Sequence, residues 1–396
     1  MFIKTLEITN FKSISHKIRF DFSSGTNIVI DRNDDSCSDI VQAIRWVLGT
    51  QSLSEIDVNS RHKILYKRFD DLFLECDVLI VFDNSDRKLS LDSDEVRVKR
   101  SSFYEDGDEY YINGKRVRLV DVRNLMSGTG LGLIPYSILR SDRVFDNTSS
   151  FQFAIEDASG LLMIKSVLDK AKHQYSEIDN NLKEGSIINE EYEKVFRTLK
   201  RRLKNDPDNC VYREEYYECC RMLGFYKAVS YDINNTKQEI NDVYKVMQSL
   251  YQKKREDVLG HLSTVFGETC RDLYGWSGCG LLEDHKDQIK GEATVSICVE
   301  GKKVEKHFSR SLLYKIQIAL VFTFCKTGMI GSCILDGADT ILDNDEWEKM
   351  ITAISKLKDQ NQFIVLPKRC TADIGSDATW VLGTEYGQVV AERRTE

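Results

Sequence analysis

The stretch DRNDDSCSD at residues 31–39 constrains this chain more than any other part of its sequence. It lies between a strand-like run at residues 26–30 and a helix-like run at residues 40–48, an order that is typical of a phosphate-binding loop. Such a loop reads G-x-x-x-x-G-K-[S/T], because its glycines let backbone N–H groups close around phosphates and its lysine neutralises them. The order of elements therefore predicts a strand, loop and helix of the nucleotide-binding type.

The residues that would bind phosphate are replaced in this loop. Asp31 and Ser36 occupy the two glycine positions and Cys37 the lysine position, whereas Ser38 keeps the hydroxyl group. A triphosphate would meet the carboxylates of Asp34 and its neighbour, and one such contact at about 5 Å costs roughly 3 kcal/mol at an effective dielectric of about 20. The attraction of a helix N-terminus, roughly 1 kcal/mol, does not offset that cost.

The rest of the chain resembles the head of proteins of the SMC (structural maintenance of chromosomes) family, and in particular the third SMC subunit of cohesin. The opening residues MFIKTLEITNFKSI have the family's strand pattern, and Arg32 and Asn33 match residues inside its phosphate loop. Residues 81–86, VFDNSD, reproduce a specific stretch of the cohesin subunit. The likeness covers about residues 1–165 and about residues 255–396.

The family's signature motif, L-S-G-G-Q, is present in altered form. The resemblance implies that its serine and glycine backbone would clasp the γ-phosphate that the opposite head holds. Ser309 keeps the serine, whereas Arg310 and Ser311 replace the two glycines and Leu312 replaces the glutamine.

Three further motifs follow the family's order. The Walker B strand at residues 332–336 ends in Asp336, but Gly337 stands where the resemblance implies a glutamate that polarises the attacking water. The Q-loop glutamine is replaced by Ser141, while Asp343 keeps the D-loop pattern.

These losses indicate a pseudo-ATPase. In the family, one head supplies Walker A and B to a nucleotide and the other head supplies the signature motif. This chain is altered on both surfaces. In addition, no histidine follows the strand at residues 362–366. The chain is expected to lack catalytic and metal-binding residues and to bind neither ATP nor Mg²⁺ appreciably. In the alternative interpretation, the retained residues serve only as helix caps and turn residues, for which Ser and Asp are favoured: Ser38, Ser309, Asp336 and Asp343.

The segment at about residues 152–262 has a helical texture. Apolar residues from Leu161 to Leu203 alternate spacings of three and four, residues 205–209 read NDPDN, and a second seam follows the turn. That second seam is predicted to comprise Ile233, Thr236, Ile240, Val243, Met247 and Leu250. The pattern predicts a short antiparallel coiled-coil hairpin without a hinge domain.

The predicted fold is an α/β ABC-type ATPase head, P-loop NTPase-like with mixed sheets. It is assembled from residues 1–151 and 263–396, with the hairpin inserted between them. Its core strands are expected at residues 26–30, 332–336 and 362–366, and an antiparallel side sheet near residues 73–118.

Composition narrows the choice of function. The net charge of −8 and the pI of about 5.5 argue against a strong sequence-independent DNA binder, although a basic stretch at residues 194–204 leaves direct nucleic-acid binding open. Eleven cysteines without a C-x-x-C pair suit a reducing compartment. No run approaches the length of a membrane span, so an intracellular protein, nuclear or cytoplasmic and not secreted, is expected.

The favoured interpretation is a non-catalytic SMC-like interaction subunit or scaffold in chromosome organisation or cohesion. The resemblance implies a kleisin-type subunit on the neck helices, or another SMC head, as its partner. Two alternatives remain: a conditional ATPase that works beside an intact SMC head, and a binding factor recruited to a non-chromosomal complex such as a ribonucleoprotein.

Overall fold

The computed structural model describes residues 1–31, 36–68, 71–72, 75–145, 148–206, 210–284, 294–304, 308–369, 375–385 and 388–394. The chain divides into two compact units: the head unit, Met1–Gly160 with Val258–Glu396, and the hairpin unit, Leu161–Asp257. Both chain ends contribute to the head unit, as predicted. The hairpin unit is shorter than the predicted range 152–262, because the helix Thr148–Ala158 belongs to the head unit.

The secondary structure alternates between strands and helices along the head unit. The strands are β1 (Phe2–Thr9), β2 (Ile18–Asp21), β3 (Thr26–Asp31), β4 (Lys67–Arg68), β5 (Asp71–Leu72), β6 (Glu75–Asp83), β7 (Glu95–Phe103), β8 (Gly107–Ile112), β9 (Lys115–Val117), β10 (Ile138–Arg140), β11 (Gly280–Asp284), β12 (Thr294–Val299), β13 (Lys302–Lys303), β14 (Ser332–Asp336), β15 (Gln362–Leu366), β16 (Ala378–Glu385) and β17 (Gln388–Arg394). The α-helices are α1 (Cys37–Val47), α2 (Leu119–Leu125), α3 (Thr148–Ala158), α4 (Leu161–Asn205), α5 (Cys210–Tyr274), α6 (Arg310–Lys326) and α7 (Asn344–Leu357). Short 3₁₀ helices lie at Leu53–Ile56, Arg61–Lys63 and Ala338–Thr340.

The central sheet of the head unit has the strand order β10-β14-β15-β3-β16-β17. Its neighbouring strands are parallel except for the last pair. Every residue of β14 and of β15 is buried, because helices cover both faces of a parallel sheet. The three core strands predicted from the sequence are confirmed as the adjacent strands β14, β15 and β3.

The side sheet is antiparallel, with the order β2-β1-β6-β7-β8-β9. The part predicted near residues 73–118 is confirmed within the described residues. The sheet is larger than predicted because β1 pairs with β6 along its whole length and β2 extends the sheet beyond β1. The chain's first strand is therefore a central element of this sheet.

Helix α1 is held between the two sheets through its C-terminal end. The guanidinium of Arg100 lies 4.3 Å from the ring of Trp46 and 4.9 Å from the ring of Tyr110. It donates hydrogen bonds to the carbonyl oxygen of Trp46, in the last turn of α1, at 2.6 Å and to that of Thr50, just beyond the helix, at 2.8 Å. This contact fixes the helix whose N-terminus follows the altered phosphate loop.

The hairpin unit is antiparallel. Phe196 of α4 stacks on Tyr216 of α5 with ring centroids 5.1 Å apart, and farther along Lys237 bonds to Asp179 at 2.5 Å. Leu199 is buried in this pairing. The predicted hairpin is confirmed, although residues 207–209 of its turn lie outside the described residues.

The predicted second seam is half wrong. Ile233, Ile240 and Met247 are partly buried, as expected, whereas Val243 is 58% exposed and Leu250 is 62% exposed. In their place, Lys237 and Tyr244 are partly buried, and so is Tyr251, the residue after Leu250. Thr236 is also exposed. Apolar spacing missed these positions because long amphipathic side chains cover a seam with their stems while their polar ends reach water or a partner.

No helix within the described residues is both long and apolar enough to cross a membrane.

Candidate functional site

The candidate site lies at the carboxyl edge of the central sheet, where β3 leads into α1. Arg32, Asn33 and Asp34 lie outside the described residues, but both sides of the loop are described. A carboxylate oxygen of Asp31 accepts a hydrogen bond of 2.7 Å from the backbone N–H of Ser36, the residue before α1. Backbone N–H groups at a helix N-terminus attract anions, so the chain places its own carboxylate there.

The next two residues begin α1. Cys37 is 5% exposed and its Sγ lies 3.7 Å from the carbonyl oxygen of Val29, so the side chain at the lysine position points towards the backbone of β3. Ser38 is half-buried, and its hydroxyl makes no hydrogen bond within the described residues. The side chain of Ser36 does not cap α1.

Asp336 ends β14 and is 1% exposed. Neither of its carboxylate oxygens has a hydrogen-bond partner among the described residues. Two cations flank it instead: Arg140 Nε lies 3.7 Å from one oxygen and Lys368 Nζ lies 3.8 Å from the other. Burial raises the pKa of the Asp336 carboxyl above its usual value, although both cations oppose that shift.

Arg140 is the centre of a wider network. It donates from Nη2 to Asp57 and to Asp142 at 2.7 Å each, and from Nε to Asp142 at 3.0 Å. Burial opposes the charge of the guanidinium, but these carboxylates together raise the pKa of Arg140. Burial also disfavours the charge of Asp57, yet bonds from Arg140 and Arg143 lower the pKa of Asp57.

Gly337 follows Asp336 in a left-handed conformation, with φ of +69°. A Cβ atom added there would lie 2.6 Å from Oγ of Ser141 and 3.1 Å from Cδ of Lys368. Ser141 and Gly337, the Q-loop and Walker B positions of the sequence analysis, are therefore neighbours. The space that a side chain would need at position 337 is occupied by its neighbours.

The signature and D-loop positions begin two helices. Oγ of Ser309 accepts a hydrogen bond from the backbone N–H of Leu312 and caps α6, whose first residues are Arg310 and Ser311. Asp343 caps α7 in a reciprocal arrangement with Glu346. The capping alternative thus describes Ser309 and Asp343.

The same alternative does not describe the other two retained residues. Ser38 lies inside α1, and Asp336 is the buried end of a strand. Helix capping explains neither of them.

Sequence reasoning missed the basic residues that surround Asp336. Arg140 pairs in register with Asp336 across β10 and β14, and Lys368 follows the neighbouring β15. A signal was present, because the carboxyl ends of adjacent parallel strands meet at one edge of the sheet. After the strand at residues 362–366, the basic residue is Lys368, whereas the family pattern implies a histidine. No cluster of three or more metal-ligating side chains occurs in the part of the chain that is described.

Comparisons with known proteins agree with this architecture. The family described as RecF/RecN/SMC N terminal domain matches residues 2–373. Chromosome partition proteins Smc are similar in sequence: that of Rhodopirellula baltica is 32% identical over 204 residues, and that of Clostridium kluyveri is 27% identical over 335 residues. These matches cover 50% and 77% of this chain but only 17% and 28% of those proteins. The chain thus spans less than a third of either relative.

Solved SMC heads share the fold over the whole chain. The head domain with a coiled coil and joint from Pyrococcus yayanosii has a TM-score of 0.76 at 17% identity, covering 100% of this chain and 97% of that one. The head domain from Pyrococcus furiosus, bound to the C-terminal domain of ScpA, has a TM-score of 0.69 at 21% identity, covering 100% and 96%. The predicted ABC-type head with an inserted coiled coil is confirmed.

Proposed function

Because the chain belongs to the RecF/RecN/SMC N-terminal domain family, we propose that it is a pseudo-ATPase head that acts as a non-catalytic interaction subunit or scaffold in chromosome organisation. A single observation supports the proposal: charged side chains of the protein lie where the phosphate and the Mg²⁺ of Mg-ATP would bind. The carboxylate of Asp31 accepts a hydrogen bond from the backbone N–H of Ser36, just before α1, where a phosphate would bind. Arg140 and Lys368 stand beside Asp336, where Mg²⁺ would bind.

Electrostatics supports the absence of appreciable Mg-ATP binding. A unit positive charge placed about 4 Å from another costs roughly 4 kcal/mol at an effective dielectric of about 20, and Mg²⁺ carries two charges. A Mg²⁺ ion at Asp336 would meet both Arg140 and Lys368. A phosphate at α1 would meet Asp31 and would not find a lysine at position 37.

The hairpin unit supports a protein partner. Exposed apolar side chains occur on both helices. The pairing of Lys237 with Asp179 sets the register of the helices, and in that register these side chains lie at similar heights along the hairpin. They are Met163, Val167, Val243, Val246 and Leu250. The Smc head of Pyrococcus furiosus was crystallised bound to the C-terminal domain of ScpA. We propose a kleisin-type subunit, or a second SMC head, as the partner of this chain.

Finer features of the proposal rest on the sequence. The likeness of residues 81–86 to the cohesin subunit favours a cohesin-type role over other SMC complexes. We propose, with partners of that kind, a location inside the cell, in the nucleus or the cytoplasm.

The first test is the hydrolysis and binding of Mg-ATP by the purified full chain. We expect no turnover above that of the Asp336→Asn variant and no rise in the melting temperature when Mg-ATP is added. Turnover that is lost in Asp336→Asn would instead establish a conditional ATPase.

The second test is affinity purification of the native protein, followed by mass spectrometry. We expect SMC-complex subunits, including a kleisin-type chain, to co-purify with the wild type. Recovery should fall for the double variant Val243→Asp with Leu250→Asp and remain for Lys349→Ala, a surface control on α7. Co-purification with a ribonucleoprotein or another unrelated assembly would contradict the chromosomal role.

A further inference from the structure

Helix α5 carries a second face that its pairing with α4 leaves largely exposed. Its members alternate spacings of three and four residues, and they form the Tyr217–Tyr231 face: Tyr217, Cys220, Gly224, Lys227 and Tyr231. Tyr217 is 70% exposed and Tyr231 is 67% exposed, although both carry a large aromatic ring. The face shares no residue with the exposed apolar side chains that the proposed function assigns to a partner, so its occupant goes beyond that function.

The spacing of this face indicates what covers it. Alternating intervals of three and four residues form the seam of a coiled coil, whose occupant is another helix. Helix α4 does not fill that place, because it lies against a different side of α5. There Cys219 is 3% exposed and its Sγ lies 3.3 Å from the carbonyl oxygen of Tyr192 on α4. The Tyr217–Tyr231 face, about 21 Å long at 1.5 Å per residue, is therefore suited to a third helix.

A groove of about 450 Å³ lies beside this face, between α4 and α5. Four residues of α5 border it at positions i, i+3, i+4 and i+7, the pattern that receives a side chain of a facing helix: Cys220, Leu223, Gly224 and Lys227. A Cβ atom added at Gly224 would meet no atom within 4 Å. The backbone of α5 is thus open to close approach at Gly224.

The Tyr217–Tyr231 face is nearly symmetric about Gly224. Tyr217 precedes Gly224 by seven residues and Tyr231 follows it by seven, while the small residues Cys220 and Ala228 stand four before and four after. Contact around a two-fold axis requires a surface that is complementary to itself. When two α5 helices cross antiparallel at Gly224, small residues meet at the crossing and each Tyr217 lies beside the Tyr231 of the other copy. Aromatic rings attract each other in such pairs.

The charges of the groove also fit a second copy. Arg197 bonds to Glu193 of its own helix at 3.2 Å, whereas Lys227 makes no ion pair within the described residues. All three side chains line the groove. In a pair that crosses at Gly224 the two grooves lie across from each other, so Lys227 of one copy approaches the groove that holds Glu193 in the other. Each copy thus supplies a carboxylate for the cation of its neighbour.

We propose that the Tyr217–Tyr231 face binds the same face of a second copy of this chain, with the two α5 helices antiparallel and crossing at Gly224. The two-fold axis passes between the two Gly224 residues. A contact over four turns of one helix buries less than about 1,200 Å², which is the range of weak and transient interfaces. The pair therefore forms and separates with protein concentration.

The first test is sedimentation velocity of the purified full chain over a series of micromolar concentrations. We expect the average mass to rise from that of a monomer towards that of a dimer as the concentration increases. Tyr217→Ala and Tyr231→Ala should each weaken the association about tenfold, because each removes one ring from both ends of the contact.

Substitutions at Gly224 test the two-fold axis, since a residue on such an axis faces its own copy. Gly224→Glu and Gly224→Lys should each be monomeric, because like charges meet, and an equimolar mixture of the two should restore the dimer. Both variants should keep the helical circular dichroism signal, since Gly224 is exposed, the space at its Cβ is open and glycine is a poor helix former. Thr236→Glu adds the same charge at an exposed position of α5 outside the face and should leave the dimer unchanged.

Three results would overturn the proposal. A wild type that stays monomeric at the highest concentration removes the self-contact and leaves the pseudo-ATPase assignment untouched. A mixture of Gly224→Glu and Gly224→Lys that fails to pair excludes a crossing at this residue. A dimer that persists in both Gly224 variants but is lost in Val243→Asp with Leu250→Asp forms through the surface assigned to a kleisin-type partner, and that assignment then fails as well.

Discussion

Arg140 and Asp336 face each other in the register of two parallel strands, with Nε of the guanidinium 3.7 Å from Oδ2 of the carboxylate. Their side chains are 3% and 1% exposed, so water screens neither charge well. Arg140 also bonds to Asp57 and Asp142, and it thereby ties β10 to β14 and to the segment that follows α1. One guanidinium thus compensates several carboxylates at the edge where a nucleotide site would be assembled.

Replacement of Arg140 should be costly. Arg140→Met leaves the buried charge of Asp336 with Lys368 as its remaining nearby cation, and breaking a buried ion pair typically costs about 3 kcal/mol. We expect a loss of that size in the free energy of unfolding, measured by urea denaturation. Arg143→Met is the control: its side chain is 37% exposed and Asp57 keeps Arg140, so the loss should stay below about 1 kcal/mol. Equal losses would show that Arg140 is not the centre of the network.

The raised pKa of Asp336 predicts a pH dependence with a definite sign. The Asp336 carboxyl holds its proton more tightly in the folded state than in the unfolded state. The free energy of unfolding should therefore fall as the pH rises from the unfolded-state pKa, about 3.9, through the higher folded-state pKa. Asp336→Asn removes this effect, so the variant should gain stability relative to the wild type over that range. Urea denaturation at a series of pH values measures the difference.

Asp377 provides a control of opposite sign. Burial disfavours its charge, but bonds from the N–H of Thr26 and from Lys358 lower the pKa of Asp377 below its usual value. The Asp377→Asn variant should therefore lose stability relative to the wild type as the pH rises through the range below about 3.9. A constant difference for Asp336→Asn across the whole series would contradict the assignment of its raised pKa.

Restoring a side chain at position 337 should destabilise the protein without creating activity. Gly337→Glu forces a side chain into the left-handed region, which costs about 1–2 kcal/mol, and into contact with Ser141 and Lys368. Gly328 has the same φ of +69° with nothing within 4 Å of its added Cβ, so Gly328→Ala isolates the backbone cost. We expect Gly337→Ala to lower the melting temperature more than Gly328→Ala, and Gly337→Glu to hydrolyse no ATP. Equal shifts for the two alanine variants would mean that the neighbours yield easily.

The observed seam of the hairpin unit predicts unequal effects of two neighbouring substitutions. Met247 is partly buried, whereas Val243 is 58% exposed. Met247→Asp should cost about 2 kcal/mol, because it buries a charge at the seam, and Val243→Asp should stay within about 0.5 kcal/mol. Unfolding followed by the helical circular dichroism signal compares them. A larger loss for Val243→Asp would restore the spacing predicted from the sequence.

Local patterns in the sequence determined the elements and their order. Apolar runs predict β3, β14 and β15, the interrupted loop at residue 31 predicts the start of α1, and spacings of three and four predict an antiparallel hairpin. Serine and aspartate before apolar segments predict the caps at Ser309 and Asp343. These features depend on residues only a few positions apart, which is why one sequence suffices to find them.

Tertiary structure alone decided which charges meet. Arg140, Asp336 and Lys368 are far apart in the chain, and only the order and register of β10, β14 and β15 bring them within 4 Å. The hairpin shows the same limit, since pairing with Asp179 placed Lys237, rather than Thr236, at the seam. The amino-acid sequence by itself determined an altered nucleotide-binding head with an inserted hairpin. Packing decided that Asp31 accepts the N–H of Ser36 and that Arg140 and Lys368 flank Asp336, because burial favours a partner for each charge across the fold.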